Sequence, residues 1–149
     1  MPLLRGVVVL HARAIMSSGA IAMPPTEVLI IAAMFGIAGV GHFLAPAWFD
    51  QIMPPWIPNA RAATLLSGAA EILLALGVLL PATRAAAGWG LVALLMAVFP
   101  ANIHMVHQAM ADNASRGYLL GLWLRLPLQP FLMWGVWRAT RSIPYANNG

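Results

Sequence analysis

The chain has 149 residues, of which 61% are hydrophobic and 8% are charged, and its mean hydropathy is +0.81. Because a soluble domain usually carries about 25% charged residues, this composition excludes a water-soluble globule and indicates an integral membrane protein. The formal net charge of +4 does not indicate a nucleic-acid partner, since lysine is absent and the eight arginines are spread singly. The absence of cysteine excludes disulfides, thiolate metal sites and thiol redox chemistry by this chain.

An N-terminal extension, residues 1–25, precedes the first long apolar run. Its own apolar part is short and is interrupted by Arg5, whereas a signal peptide needs a clean apolar core and a cleavage site of small residues. We therefore predict a disordered or interfacial segment here. The sequence leaves Met1, Met16 and Met23 open as the true start.

The first long apolar run predicts a transmembrane helix over about residues 28–44. Thr26 is placed to cap this helix, and Glu27 suits its positive N-terminal end. The following stretch, residues 45–59, predicts a connector, because its proline-rich segment PPWIP cannot continue a helix.

Three further apolar runs predict transmembrane helices over about residues 60–80, 85–107 and 118–137. Each run approximates the roughly 20 residues that a helix needs to cross the apolar core of a bilayer. A tight turn and a polar loop separate the three runs. We therefore predict an all-α fold, an integral membrane four-helix bundle with antiparallel neighbours and short connections, over residues 26–141, followed by a C-terminal tail at 142–149.

The arginines predict an orientation for these spans. With four spans, one side of the membrane holds both termini and five arginines: Arg5, Arg13, Arg84, Arg138 and Arg141. The opposite side holds two arginines, Arg61 and Arg116. Because cytoplasmic loops carry the excess of positive residues, we predict a multi-pass protein of the bacterial inner membrane with both termini in the cytoplasm.

Glu71 and Arg125 are charged residues deep within predicted spans. An intramembrane carboxylate costs roughly 2.5 kcal/mol or more on insertion scales unless it faces a partner or water. At the helical rise, Glu71 lies roughly 15 Å and Arg125 roughly 10 Å from the outer ends of their spans. We predict that the two charges meet in the outer half of the bundle, either as a structural ion pair or as a substrate or proton site.

Other polar residues are predicted to surround these two charges and form a pocket. They are His42, Ser67, Asn102, Gln129 and Trp56, the last of which is placed to cap the pocket. Ser67 and Glu71 are four residues apart and share a helix face, as do Arg125 and Gln129. His42 is expected to hydrogen-bond the connector rather than to bind a metal.

His104 is a second-tier candidate for the pocket. It lies two residues after Asn102, so the two side chains point about 200° apart on an ideal helix, and we place Asn102 in the pocket and His104 nearer the headgroups. His104 and His107 have a spacing that metals use. No metal site is predicted, because cysteine and a neighbouring acidic ligand are absent from that helix.

Five strings in a fixed order resemble the DoxX-like family of small bacterial membrane proteins. They are Gly41-His42-Phe43 with Pro46, Pro54-Pro55-Trp56-Ile57-Pro58, Ser67-Gly68 with Glu71, Phe99-Pro100-Ala101-Asn102-Ile103 and Arg125-Leu126-Pro127-Leu128-Gln129. The resemblance covers roughly residues 26–138 and implies a four-helix transmembrane bundle. That family takes its name from a subunit associated with quinone-linked thiosulfate oxidation, but most members have no assigned reaction, so the resemblance implies no reaction for this chain.

These observations lead to one function hypothesis and two alternatives. The pocket is expected to bind a small amphipathic or anionic molecule, a quinone headgroup being one candidate. The protein is expected to act as an accessory of a membrane redox or detoxification system. No other cofactor is evident, and the expected partners are the lipid bilayer, redox subunits and the small-molecule ligand. The alternatives are a non-catalytic structural or assembly subunit and a small transporter that acts as an oligomer.

Overall fold

The structure is a computed structural model that describes residues 23–141. Within this range it contains no β-strand and has five helices: α1 Thr26–Leu44, α2 Pro46–Gln51, α3 Ala60–Leu79, α4 Arg84–Ala111 and α5 Arg116–Thr140. Of these, α1, α3, α4 and α5 are each long and apolar enough to cross a membrane. The predicted all-α fold with four spans is therefore confirmed. The predicted C-terminal tail, and the N-terminal extension up to residue 22, lie outside the described residues.

Polar caps fix the starts of two spans. The Asn59 side chain accepts a hydrogen bond from the backbone amide of Ala62 at 2.9 Å at the start of α3, and Ser115 caps α5 in the same way. The predicted Thr26 cap of α1 is wrong, because Pro25 occupies the N-cap position and Thr26 is already helical. The fixed φ of proline lets the chain enter the helix one residue earlier than a threonine cap would.

The connector between the first two spans contains a short helix, α2, that the sequence analysis did not predict. Pro46 lies in its first turn, where a missing amide hydrogen costs no hydrogen bond and the fixed φ suits a helix. The helix ends at Gln51, before the PPWIP segment. The predicted connector is thus correct in its proline-rich part and wrong over residues 46–51.

The third span, α4, is longer than predicted. It has 28 residues and ends at Ala111, which corresponds to roughly 42 Å at the helical rise, whereas the apolar core of a bilayer is roughly 30 Å thick. Its last turns reach the connector, where the Gln108 amide donates a hydrogen bond to the Gln51 carbonyl at 3.3 Å. Pro100 lies inside this continuous helix, as the sequence analysis expected.

The two ends of the bundle differ in packing, and we name them by their connections. At the terminal end, which carries residues 23–25 and Arg141, a continuous apolar core takes buried residues from all four spans, including Val28, Val78, Leu91 and Val136. At the connector end, which carries residues 45–59, a smaller core lies mainly between α4 and α5. Among the described residues, the spans pack most closely as α1 with α3 and α4 with α5, less closely as α3 with α4, and only slightly as α1 with α5.

Candidate functional site

A cavity of about 750 Å³ occupies the connector half of the bundle. All four spans and the connector contribute side chains to its wall, and the connector covers it through residues such as Met53, Pro54 and Ile57. All seven residues that the sequence analysis assigned to a pocket line this cavity: His42, Trp56, Ser67, Glu71, Asn102, Arg125 and Gln129. His104 does not line the cavity; its ring lies 6.3 Å from the ring of Trp56, in an edge-on arrangement.

A close crossing of α1 and α3 positions one side of the cavity. A Cβ atom built on Gly68 would lie 2.6 Å from Cβ of His42 and 2.9 Å from the carbonyl oxygen of Gly39. A Cβ built on Gly39 would be equally crowded by the carbonyl oxygen of Gly68. Only glycine fits at both positions, so the two backbones approach closely and bring His42 beside Glu71.

The ionisable side chain nearest to Glu71 is that of His42, at 3.6 Å between the carboxylate oxygen Oε2 and Nδ1. Nδ1 lies 2.9 Å from the Ala38 carbonyl oxygen, and because a carbonyl can only accept, Nδ1 carries the hydrogen. The His42 ring also stacks on Phe49 of the connector at 3.8 Å between centroids. The expected hydrogen bond from His42 to the connector is therefore wrong; the contact with the connector is aromatic stacking.

The predicted Glu71–Arg125 ion pair is also wrong. Among residues 23–141, the ion pairs within 4.0 Å are His42–Glu71 and Asp50–Arg61. Glu71 is 9% exposed, and its Oε2 atom is buried without a hydrogen-bond partner in the part of the chain that the structure describes. Arg125 is exposed and lines the same cavity. The two charges thus face one cavity without contacting each other, because the glycine crossing places Glu71 against α1 rather than against α5.

A hydrogen-bonded amide pair forms the opposite side of the cavity. The Asn102 amide donates to the side-chain oxygen of Gln129 at 2.6 Å, and the Gln129 amide donates to the backbone carbonyl of Leu95. Gln129 is 5% exposed. This chain joins α4 to α5 and fixes both amides, as expected for polar groups that are buried at membrane depth. Through this chain of hydrogen bonds the Asn102 side chain points into the interior of the bundle.

A polar cluster that the sequence analysis missed holds the connector against α3. Asp50 accepts hydrogen bonds from the Thr64 hydroxyl and from Nε of Arg61, both at 2.7 Å. The pKa of Asp50 lies below its ordinary value of 3.8, mainly because the carboxylate accepts the hydrogen bond from Thr64. The neighbouring Arg61 lowers this pKa further. The chain has only four acidic residues. Because acidic residues are so scarce, the presence of Asp50 in the connector could have indicated that it has a specific partner.

Comparison with known proteins places the chain in a family. A family model described as a domain of unknown function, DUF8561, matches residues 31–140. The chain belongs to this family. No curated protein and no solved structure matches it. The seven predicted pocket residues that line the cavity all lie within the part of the chain that the DUF8561 model covers.

The cavity of this DUF8561 protein combines an apolar wall with two separated polar sides. One side presents the carboxylate of Glu71 with His42 and Ser67, and the other presents Asn102 and Gln129, with Arg125 nearby. Most of the remaining wall is aliphatic or aromatic. Binding sites for small organic molecules have this composition, with an apolar lining and a few polar groups that fix orientation, and volumes of roughly 300–1,000 Å³.

Proposed function

We propose that the cavity binds a small amphipathic molecule that carries an anionic or carbonyl oxygen, a quinone headgroup being one candidate. The observation that carries this proposal is that a buried carboxylate and an exposed guanidinium line one cavity, within the described residues, without pairing with each other. Oε2 of Glu71 is buried and, among the described residues, accepts no hydrogen bond, with Nδ1 of His42 3.6 Å away. A buried acceptor without a hydrogen bond is costly, and ionisable residues within membrane spans mark ligand and proton sites.

The lining residues suggest a role for each polar side. Arg125 holds the ligand oxygen, since guanidinium groups form strong, directed hydrogen bonds to carboxylate or carbonyl oxygens. Glu71 accepts a hydrogen bond or a proton from the opposite edge of the ligand. Asn102 is held by Gln129, and its second amide hydrogen supports the orientation of the headgroup.

The cellular setting is part of the same proposal. The protein acts as an accessory of a redox or detoxification system in the bacterial inner membrane, with both termini in the cytoplasm. The excess of arginines on the terminal side supports the orientation, and the motif resemblance to the DoxX-like family supports a link to membrane redox systems. Because the chain has no cysteine, single cysteines at Ala82 and Asn113 test the orientation: an impermeant maleimide should label only the Asn113→Cys protein in intact spheroplasts.

The ligand is tested by purifying the tagged protein from its native membranes and identifying bound small molecules and partner proteins by mass spectrometry. We expect one amphipathic molecule to co-purify and to raise the melting temperature of ligand-stripped protein. Glu71→Gln and Arg125→Gln should reduce this rise while leaving the melting temperature of the stripped protein nearly unchanged. Unaltered ligand stabilisation in both variants contradicts the proposed site.

The second candidate is a structural or assembly subunit. It is favoured by α5, the least buried of the four spans. On this helix a Cβ built on Gly121 or Gly135 has no atom of the described residues within 4 Å. Small residues on an open helix face allow another helix to pack closely. Co-purification of a membrane protein that is lost in Gly121→Leu, with no small molecule bound, would favour this candidate over the ligand site.

A further inference from the structure

The cavity has a lateral opening between α1 and α5. Met34 on α1 and Leu128 and Phe131 on α5 line the cavity, yet they are 40%, 62% and 71% exposed on the surface of the bundle. These two helices contact each other least among neighbouring spans. Since both are membrane spans, an opening between them faces the hydrocarbon region of the bilayer.

The side of the cavity that faces the aqueous phase is covered by the connector. The connector is fastened to α3 through Asp50, which accepts hydrogen bonds from Thr64 and Arg61. It is also fastened to α4 through the hydrogen bond from Gln108 to the Gln51 carbonyl. On the aqueous side a ligand therefore meets an anchored connector, whereas a molecule dissolved in the membrane meets an opening edged by apolar side chains.

From this arrangement we infer that the ligand is a membrane-borne amphiphile whose hydrocarbon tail leaves the cavity between α1 and α5, while its oxygen-bearing head lies between Glu71 and Arg125. This inference rests on the proposed function, and it adds the class of ligand and the route of entry. The exposed Arg125 beside Leu128 fits such a molecule, because a guanidinium at the mouth meets the head while the neighbouring leucine meets the tail.

Binding of paired probes, with and without a hydrocarbon tail, to the protein in lipid nanodiscs tests whether the ligand needs a tail. One pair is palmitate with acetate, and the other is decyl-substituted benzoquinone with tetramethylbenzoquinone, so the two arms separate a fatty-acid head from a quinone head. We expect the tailed member of one pair to bind the wild-type protein more tightly than its tail-less partner by about tenfold or more, which corresponds to about 1.4 kcal/mol.

Two double variants test the route. Met34→Trp with Leu128→Trp places bulky rings on both edges of the opening and should weaken binding of the tailed probe by about tenfold or more, or about 1.4 kcal/mol. Met96→Trp with Leu124→Trp changes the same residue types at exposed positions that do not line the cavity, and it should bind like the wild type. The melting temperatures of both variants report whether either substitution disturbs folding.

The outcomes separate this inference from the proposed function. If the tail-less probes bind as tightly as the tailed ones, and Arg125→Gln weakens both, the cavity is a binding site but the tail and the lateral route are wrong. If the tailed probe binds the Met34→Trp/Leu128→Trp protein with the same affinity as it binds the Met96→Trp/Leu124→Trp control, the route between α1 and α5 is wrong. If no probe binds the wild type, the inference and the proposed site both fail.

Discussion

The terminal half and the connector half of the bundle are built from the same four spans but are packed differently. In the terminal half, side chains from all four helices form one continuous core around the fully buried Leu91. In the connector half, the helices stay together as two pairs, and the space between the pairs is a cavity. The polar residues are held within their own pairs, Glu71 beside His42 and Gln129 by hydrogen bonds with Asn102 and Leu95, and the space between the pairs stays open.

The largest expected contrast between the halves is in stability. Leu91→Ala should lower the free energy of unfolding by about 2–5 kcal/mol, because Leu91 is fully buried and its truncation leaves a void in the core. Leu128→Ala, at an exposed position on the edge of the cavity, should change it by about 0.5 kcal/mol or less. Both free energies are measured by denaturant unfolding in detergent. Equal losses of unfolding free energy in the two variants would contradict the division into a packed half and an open half.

The glycine crossing gives the next largest effect. Gly68→Ala should destabilise the protein by about 1–3 kcal/mol, because its Cβ would meet His42 and the backbone of Gly39. Gly36→Ala is the matched control, since a Cβ there has no atom of residues 23–141 within 4 Å. We expect it to be neutral or stabilising by up to about 1 kcal/mol, because alanine favours a helix over glycine.

The amide pair should give a smaller effect. In a double-mutant cycle of Asn102→Ala and Gln129→Ala, the coupling energy should be about 0.5–1.5 kcal/mol, as expected for a hydrogen bond within the protein. The cycle is measured by thermal unfolding of the single and double variants. If the losses of stability in the two single variants add exactly to the loss in the double variant, the two side chains do not interact.

The Asp50 cluster predicts the smallest effect, and it depends on pH. The hydrogen bond from Thr64 holds the pKa of Asp50 in the folded protein below 3.8. Its stabilising contribution is therefore complete above pH 3.8 and is lost as the pH falls through the lower, folded value. The melting temperature of the wild type should approach that of Asp50→Asn only at pH values below 3.8. A difference that disappears already at neutral pH would contradict this assignment.

The spans were predictable because the bilayer imposes strong rules on the sequence. A run of about 20 apolar residues is needed to cross it, and polar residues within a run must face protein, so helical spacing placed Glu71, Asn102 and Gln129 toward the interior. Pro100 did not mislead the assignment, since helices in membranes tolerate proline when neighbouring groups satisfy the freed carbonyls.

The partner of Glu71 was not predictable from the sequence. Glu71 and Arg125 lie at similar depths in their spans, and this similarity suggested that they pair. The distance between two side chains, however, also depends on how closely their helices approach. That approach is set by Gly39 and Gly68, whose register across α1 and α3 depends on the helix crossing. The short helix α2 and the partner of Asp50 were missed for a similar reason, because both depend on where the connector folds back.

The central claim, that the cavity holds a ligand, is tested most directly by filling it. Ala33 and Ala38 are both exposed on α1, but of the two only Ala38 lines the cavity. Native mass spectrometry of protein purified from its own membranes should show a bound small molecule on the wild type and on Ala33→Trp, and none on Ala38→Trp. The same bound mass on Ala38→Trp, or no bound molecule on the wild type, would contradict the account.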